Sequence, residues 1–261
     1  MRFNIMGSML AGAVAMVLTG CGESTAGGAD QVSAGKIAPD KAGQSYELVI
    51  ATKPLSVEKE TAIARAGYEM CAVAAKAMGV AVKPLVALPK DYVMSRRTYR
   101  SDGVNFFEQE EGYTLDSHHA TPQNGCDTKI TYTSNTDVGS PARSRHIDIT
   151  AEGERVVQDN EPRPAAGPDL GAAEVYTVAK QIGGRAYKCM PPGSPGFLPS
   201  MKEMCILDTK GATLSNIDGR AIVAYARQKS PLADTELVTE VERASVGEKL
   251  AANAFAEPVA R

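Results

Sequence analysis

From residue 45 onward, hydrophobic residues alternate with polar ones in short runs. In the run 145–150, Ile147 and Ile149 point to one side while His146 and Asp148 point to the other, as in a strand buried on one face. Turn pairs such as Asp218-Gly219 separate these runs. The pattern predicts strands at 46–51, 92–99, 104–110, 114–118, 129–134, 145–150, 155–158, 174–180, 185–190, 204–208, 213–217, 220–227 and 235–244.

One segment has a helical period instead. Ser56 is a suitable N-cap and Gly79 a suitable stop. Between them apolar residues recur three or four positions apart, at Ile63, Ala66/Gly67, Met70, Ala74 and Ala77/Met78. Because this stripe is rich in small residues, we expect the helix to lie close against a sheet. The elements together predict a mainly β (α+β) fold, a curved antiparallel sheet or half-barrel with one packed N-terminal helix.

The first 44 residues follow neither pattern. Arg2 precedes an apolar stretch from Ile5 to Leu18, which is shorter than the about 20 residues of a membrane-spanning helix but suits the core of a signal peptide. Residues 22–44 are small, polar and aperiodic, as in a flexible tether. We therefore expect a signal peptide at 1–20, a flexible tether at 21–44 and a single antiparallel β domain at 45–261. A Pro/Gly-rich break near 161–171 interrupts that domain, and a polar, frayed C-terminus is expected to follow the last strand.

The end of the apolar stretch resembles a known processing site. The run Leu18-Thr19-Gly20-Cys21 is similar to the lipobox of bacterial lipoproteins, which carry a type II signal peptide. The resemblance implies cleavage before Cys21 and acyl chains on its sulfur and new amino group, so that the membrane becomes a partner. Gly22 stands where an inner-membrane retention signal typically places Asp. The resemblance thus favours the outer membrane, facing the periplasm.

The other cysteines fit an exported protein. Besides Cys21 the chain has Cys71, Cys126, Cys189 and Cys205, and an even number predicts two disulfides in an oxidising compartment. Four cysteines allow three pairings. We favour Cys189 with Cys205, which closes a Pro/Gly-rich loop, and hence Cys71 with Cys126. A metal site is the alternative, but the chain has no C-x-x-C motif and the spacings are wide; no cofactor is expected.

The order of elements in residues 172–258 is also familiar. Ile182-Gly183-Gly184 leads to Tyr187-Lys188-Cys189, a loop leads to the run 204–208, and Phe255-Ala-Glu-Pro258 comes late. This order resembles exported bacterial domains built like the lipoprotein carrier and receptor proteins LolA and LolB. The resemblance implies a curved antiparallel half-barrel, capped by helices over an apolar cavity.

Composition narrows the classes of partner. The net charge is −3 and no cluster of Lys and Arg appears, so a nucleic-acid partner is not expected. Aromatic residues make up 5% of the chain and Trp is absent, which disfavours stacking platforms for sugars or bases.

The histidines do not predict a metal site. His118 and His119 lie beside Asp116, but adjacent residues of a strand face opposite sides. Asp116 with His118, or His146 with Asp148, gives two ligands on a face, whereas zinc takes three or four. We therefore expect no bound metal.

Sequence signals for catalysis are weak. The chain lacks the G-x-S-x-G motif of a nucleophile elbow, and Ser194 lies in a Pro/Gly turn. The acidic run with Glu108, Glu110 and Glu111 is more typical of a solvated edge than of a glycosidase pair. No catalytic residue is therefore predicted.

One loop is a candidate for ligand binding. The Cys189–Cys205 bond would fasten a loop that carries Phe197, Leu198 and Met201, and a pre-ordered apolar loop can serve as a binding lip. Alternatively, these side chains cover the end of the core. The leading hypothesis is a lipid-anchored, non-catalytic binding or assembly module for an apolar small molecule or an envelope protein. The alternatives are an envelope hydrolase that uses scattered residues and a structural or stress-related surface lipoprotein.

Overall fold

The computed structural model describes residues 45–116, 120–140, 142–160, 173–195, 197, 199–210, 213–231 and 234–259. The expected signal peptide, the tether with Cys21 and the Pro/Gly-rich break near 161–171 lie outside these residues.

The described residues form eleven strands and two α-helices. The strands are β1 Tyr46–Pro54, β2 Ser95–Ser101, β3 Phe106–Asp116, β4 Lys129–Ser140, β5 Arg143–Ile149, β6 Arg155–Asn160, β7 Val178–Ile182, β8 Arg185–Cys189, β9 Met201–Leu207, β10 Val223–Lys229 and β11 Glu236–Val246. The helices are α1 Val57–Glu60 and α2 Ala62–Ala77, both between β1 and β2.

All eleven strands join one antiparallel sheet in the order β6-β5-β4-β3-β2-β1-β11-β10-β9-β8-β7. Strands that are consecutive in sequence pair with each other, except β6 and β7, and β1 also pairs with the last strand, β11. The first and last strands therefore meet at the middle of the sheet, and β6 and β7 are its two edges. This confirms the prediction of a mainly β fold built on a curved, open antiparallel sheet.

The central position of β1 explains its apolar sequence. Leu48 and Ile50 are buried on one face of the sheet, and Val49 and Ala51 are buried on the other. A strand covered on both faces needs a nearly continuous apolar run, whereas a strand with one wet face alternates. Leu48 and Ile50 belong to the main core cluster, which also contains Tyr99 of β2.

Two of the strand predictions are wrong. The runs 104–110 and 114–118 are parts of one strand, β3, and not two strands. Residues 213–217 do not join the sheet, since Ser215 makes a single bridge to Ala221. Residues 213–222, here named the cover hairpin, instead leave the sheet before β10 begins. Leu214 and Ile222 are buried in the main core cluster, and the hydroxyl of Tyr46 donates a hydrogen bond to the carbonyl of Ser215. The Asp218-Gly219 signal correctly marks a turn, but apolar burial places this hairpin over a face of the sheet instead of adding a strand to it.

The C-terminus is packed rather than frayed. Phe255 covers a second apolar cluster on the sheet, formed by Phe107, Val138 and Ile147. Glu257 accepts hydrogen bonds from Arg145 and Arg155, each at 2.7 Å. The expectation of a frayed end failed because it weighed the polar composition and overlooked one aromatic anchor.

Helix α2 forms as predicted, but its apolar stripe does not pack on the sheet. Met70 is 72% exposed and Met78 is 55% exposed, while Ala66, Gly67 and Ala77 are also exposed. The buried side is the one that carries Ala75, with an exposure of 0%, and it contacts the short 3₁₀ turn Pro122–Asn124. The expectation failed because one disulfide, rather than the stripe, attaches the helix to the domain.

Candidate functional site

Four cysteines form two disulfides in the structure. Cys71 of α2 is bonded to Cys126, with Cα atoms 5.9 Å apart. Cys189 of β8 is bonded to Cys205 of β9, its direct neighbour in the register. This is the connectivity that the sequence favoured, and two disulfides indicate an oxidising, extracytoplasmic compartment. Cys21 lies outside the described residues.

The aromatic residue of the loop between Cys189 and Cys205 packs against the core. Phe197 is half-buried and packs against a third core cluster that contains Tyr176, Met190 and Ile206. The Phe197 N–H donates to the carbonyl of Ser194 at 3.0 Å. The ring therefore covers the end of the core, as the alternative interpretation held.

The other two residues of the predicted lip are less informative. Met201 is half-buried at the start of β9, and Leu198 lies outside the described residues. A binding lip thus remains a prediction for this loop, with Phe197 already engaged in the core.

The one described histidine lies between two carboxylates. His146 on β5 places Nδ1 3.1 Å from Asp137 and Nε2 3.2 Å from Asp148. Both ring nitrogens therefore face carboxylate oxygens, so neither is directed at a serine. His118 and His119 lie outside the described residues.

The remaining catalytic candidates have structural partners. The Ser194 hydroxyl donates to the carbonyl of Pro191 at 2.8 Å, which closes the predicted turn. Glu110 accepts from Arg97 at 3.0 Å. Glu111 is buried, and the hydroxyl of Tyr132 lies 3.1 Å from its carboxylate. The acidic run is therefore not a uniformly solvated edge.

Glu108 is the member of that run with the most unusual environment. It lies opposite Tyr99 of β2 and Asp137 of β4, beneath the cover hairpin. Its carboxylate accepts a 3.5 Å hydrogen bond from the Ile217 N–H. Burial raises the pKa of Glu108 to about 7; that hydrogen bond and Arg97 act to lower the pKa, while repulsion from Asp137 and Asp218 adds to the rise. A carboxyl with this pKa changes its charge near neutral pH.

Two tyrosines share the covered face with Glu108. Burial, and after it the nearby charge of Glu108, raises the pKa of Tyr99 to about 12. The pKa of Tyr46 is raised for the same two reasons. Both phenols are therefore neutral hydrogen-bonding groups at physiological pH.

The sequence placed Glu108 at a solvated edge and did not indicate that its carboxylate is covered. Its contact Ile217 lies 109 residues further along the chain, so no local pattern indicates that the carboxylate is covered. The available signal was the alternation in β3, which places residue 108 on the opposite face from the buried Phe107.

An open groove of about 470 Å³ lies where α1 meets the loop between β10 and β11. Lys59 forms an ion pair with Asp234 at 3.4 Å, and Lys202 pairs with Glu236. The groove is lined by Leu55, Ser56, Lys59, Lys202, Lys229, Ser230, Asp234, Thr235 and Glu236. Ammonium groups, hydroxyls and carboxylates together suit a polar or charged partner better than an apolar molecule.

The described residues also bear on a metal site and on a membrane span. They contain no group of three or more His, Cys, Asp or Glu side chains arranged to hold a metal ion. None of the helices in this part of the chain has the length and hydropathy needed to cross a bilayer.

Comparison with known proteins adds no assignment. No family model matches the chain, and neither the curated proteins nor the solved structures that were compared give a significant match. The resemblances to a lipoprotein signal and to LolA and LolB therefore remain predictions from the sequence.

Proposed function

We propose that this chain is a lipid-anchored protein of the bacterial cell envelope that binds a partner without catalysing a reaction. The observation that carries the proposal is that four of the five cysteines form two disulfides, while the remaining one, Cys21, ends a lipobox-like run. The disulfides indicate an oxidising compartment, and the first 20 residues have the composition of a signal that leads there. Two or three acyl chains on Cys21 give stable anchoring, whereas one chain gives marginal binding.

Metabolic labelling with an alkyne fatty acid tests the anchor in a Gram-negative host. We expect the wild-type chain to take up the label and to fractionate with the outer membrane. Cys21→Ala should lose the label, and Gly22→Asp should keep the label but move the protein to the inner membrane. Label that persists in Cys21→Ala would refute the anchor at this residue.

The arrangement of the covered face supports an envelope partner rather than an apolar ligand. Leu214 and Ile222 of the cover hairpin occupy the face above Leu48 and Ile50. An apolar molecule would have to displace this hairpin and the buried area that holds it. A partner that binds at the polar groove beside α1 needs no such displacement.

Native mass spectrometry of the lipidated full-length protein, released in mild detergent, separates these possibilities. We expect a mass that includes the acyl chains and two disulfides, with a polypeptide partner retained. A retained small lipid would favour the apolar-ligand hypothesis. A bare protein after in vivo cross-linking would favour the structural or stress-related alternative.

The hydrolase alternative has less support. His146 is engaged by Asp137 and Asp148, and Glu108, the carboxyl with a pKa suited to proton transfer, lies beneath the cover hairpin. A substrate would therefore need to reach Glu108 through the chain's own cover.

A further inference from the structure

The exposed side of α2 is an apolar surface that no described part of the chain covers. Ten large apolar side chains are exposed among the described residues, and four of them, Leu55, Met70, Val73 and Met78, lie within residues 55–78. Met70 and Val73 are 72% and 70% exposed. A Cβ atom added at Gly67 would meet nothing within 4 Å, so the space above the helix is open.

The exposed apolar residues lie within one arc of the helix. At 100° per residue, Ala62, Ala66, Gly67, Met70, Val73, Ala77 and Met78 fall within about 160° of the helix surface, which holds no charged residue and in which Ala74 is half-buried. Arg65, Glu69 and Lys76 lie together along one border of this arc, and all three are exposed. This surface is here named the α2 apolar face. This border carries two basic residues and one acidic residue, and an apolar arc with a net basic border is typical of a helix that lies in a membrane interface.

The opposite side of the helix is fixed to the domain. Cys71 is bonded to Cys126, and the Ala75 side is buried. The hydroxyl of Tyr68 also donates to the carbonyl of Lys83 at 2.5 Å. The α2 apolar face is therefore presented in a set orientation and need not fold upon binding.

We propose that the α2 apolar face docks the protein on the phospholipid surface to which Cys21 is anchored. The inference rests on the lipid anchor proposed above and adds the orientation of the anchored domain. The basic residues Arg65 and Lys76 would meet anionic headgroups, while Met70 and Val73 enter the acyl boundary.

The length of chain before the sheet permits this orientation. Cys21 and Ser45 are 24 residues apart, and an extended chain of that length reaches at most about 80 Å. The register places the start of β1 beside Ser101 and its far end beside Ser95, so the anchor and the helices attach at opposite ends of β1. Nine residues of strand span about 30 Å, well within the reach of the segment.

The rival orientation places the other end of the sheet on the membrane. That end carries the turn between β2 and β3, where Val104 is 67% exposed between Gly103 and Asn105. A single apolar residue among polar neighbours offers far less surface to a membrane than the α2 apolar face. Exposed Val104 is thus a matched control for exposed Val73.

Because the chain has no Trp, a single introduced Trp reports on depth. Val73→Trp and Val104→Trp are made in the lipidated full-length protein and reconstituted in vesicles of phosphatidylethanolamine and phosphatidylglycerol. Part of the lipid carries bromine near the midpoint of its acyl chains, which quenches nearby Trp. We expect Val73→Trp emission to be blue-shifted and quenched at least about twofold, and Val104→Trp to emit as in water. Adding Met70→Glu to Val73→Trp should remove at least half of this quenching.

Each other outcome overturns the inference in a distinguishable way. Equal spectra for Val73→Trp and Val104→Trp refute the docking face, and a quenched Val104→Trp alone assigns the rival orientation. A blue shift of Val73→Trp without vesicles, growing with protein concentration, means that a second copy covers the face. Flotation of the wild-type protein separates the two proposals: a protein that floats but shows no Val73→Trp shift keeps the anchor and loses the docking face. A protein that does not float loses both.

Discussion

The cover hairpin and helix α2 are both held to the same domain, but by different means. The hairpin buries Leu214 and Ile222 in the core, with exposures of 6% and 4%. Helix α2 instead buries Ala75 and leaves Met70 outside, and a disulfide from Cys71 attaches it. An element that is held by a covalent bond therefore does not need to bury its large apolar residues to stay in place. Those residues are then free for contacts outside the domain.

Removing the Cys71–Cys126 disulfide should have the largest effect on the free energy of unfolding. Cys71 and Cys126 are 55 residues apart, and the loop-entropy estimate for such a bond is about 4 kcal/mol. Because α2 buries few large side chains, we expect Cys71→Ser with Cys126→Ser to detach the helix while the sheet stays folded. Urea unfolding measures the loss, and hydrogen exchange should show unprotected α2 amides beside a protected β1.

The matched control is Cys189→Ser with Cys205→Ser. This bond joins residues 16 apart, with an estimate of about 3 kcal/mol, and lies inside the core cluster. It should leave the amides of α2 protected. If both double variants leave α2 equally protected, the disulfide is not what holds the helix.

Truncating one buried side chain of the cover hairpin should lower the free energy of unfolding by somewhat less. Leu214→Ala removes a buried side chain above β1, and we expect the free energy of unfolding to fall by about 3 kcal/mol. Val104→Ala, at a residue that is 67% exposed, should change it by less than about 0.5 kcal/mol. Thermal or urea unfolding of the two variants decides the point, and equal stability would mean that the hairpin does not depend on apolar burial.

The pH dependence of the free energy of unfolding extends the comparison to Glu108, which lies beneath the cover hairpin. The pKa of Glu108 is raised from 4.5 to about 7 in the folded state, so between these values the folded protein holds a proton that the unfolded chain has lost. Stability from this group is therefore present below pH 4.5 and is lost as the pH rises towards 7. Glu108→Gln should be more stable than the wild type by about 1–2 kcal/mol at pH 8, after allowance for solvent screening, and unchanged at pH 4.

Glu110→Gln is the control for Glu108→Gln. It removes the exposed ion pair with Arg97, and it should lower stability by less than about 1 kcal/mol at pH 8. The two substitutions thus have opposite signs at neighbouring positions of β3. A Glu108→Gln variant that is less stable than the wild type at pH 8 would show that the carboxylate is needed beneath the hairpin.

The smallest effect on folding is expected on the α2 apolar face. Met70→Ala should change the free energy of unfolding by no more than about 0.5 kcal/mol, because the side chain is 72% exposed. Ala75→Leu, on the buried side of the same helix, should cost about 1–3 kcal/mol through overpacking. A large loss for Met70→Ala would mean that the stripe packs after all.

Local patterns predicted those features whose causes are local. The alternation of Ile147 and Ile149 marks β5, and the apolar run of β1 marks a strand. Ser56 caps α1 by accepting a hydrogen bond from the Lys59 N–H, as its residue type suggests. Spacing also favoured the Cys189–Cys205 pair, because the short loop between them brings two adjacent strands into register.

Local sequence patterns did not predict the features that depend on distant segments of the chain. Residues 213–217 have the pattern of a strand, yet Leu214 is buried in the core and the segment does not join the sheet. The Met70 stripe has the period of a buried face, yet periodicity states only that a helix has an apolar side, and not that anything covers it. The pKa of Glu108 is raised first by burial and then by charges such as Asp218, and the cover hairpin that contributes both lies outside any window around residue 108.

By itself, the amino-acid sequence determined the β-rich class, the position of the helix, the even set of four cysteines and the lipobox-like run that ends at Cys21. These follow from residue type and from periods of two to four residues, which act over a few ångströms of chain. The tertiary structure alone decided that β1 meets β11 at the centre of the sheet, that a hairpin covers Glu108 and that Met70 faces outward. Each of these depends on which distant segments exclude water from one another, and burial of that kind is a property of the assembled fold.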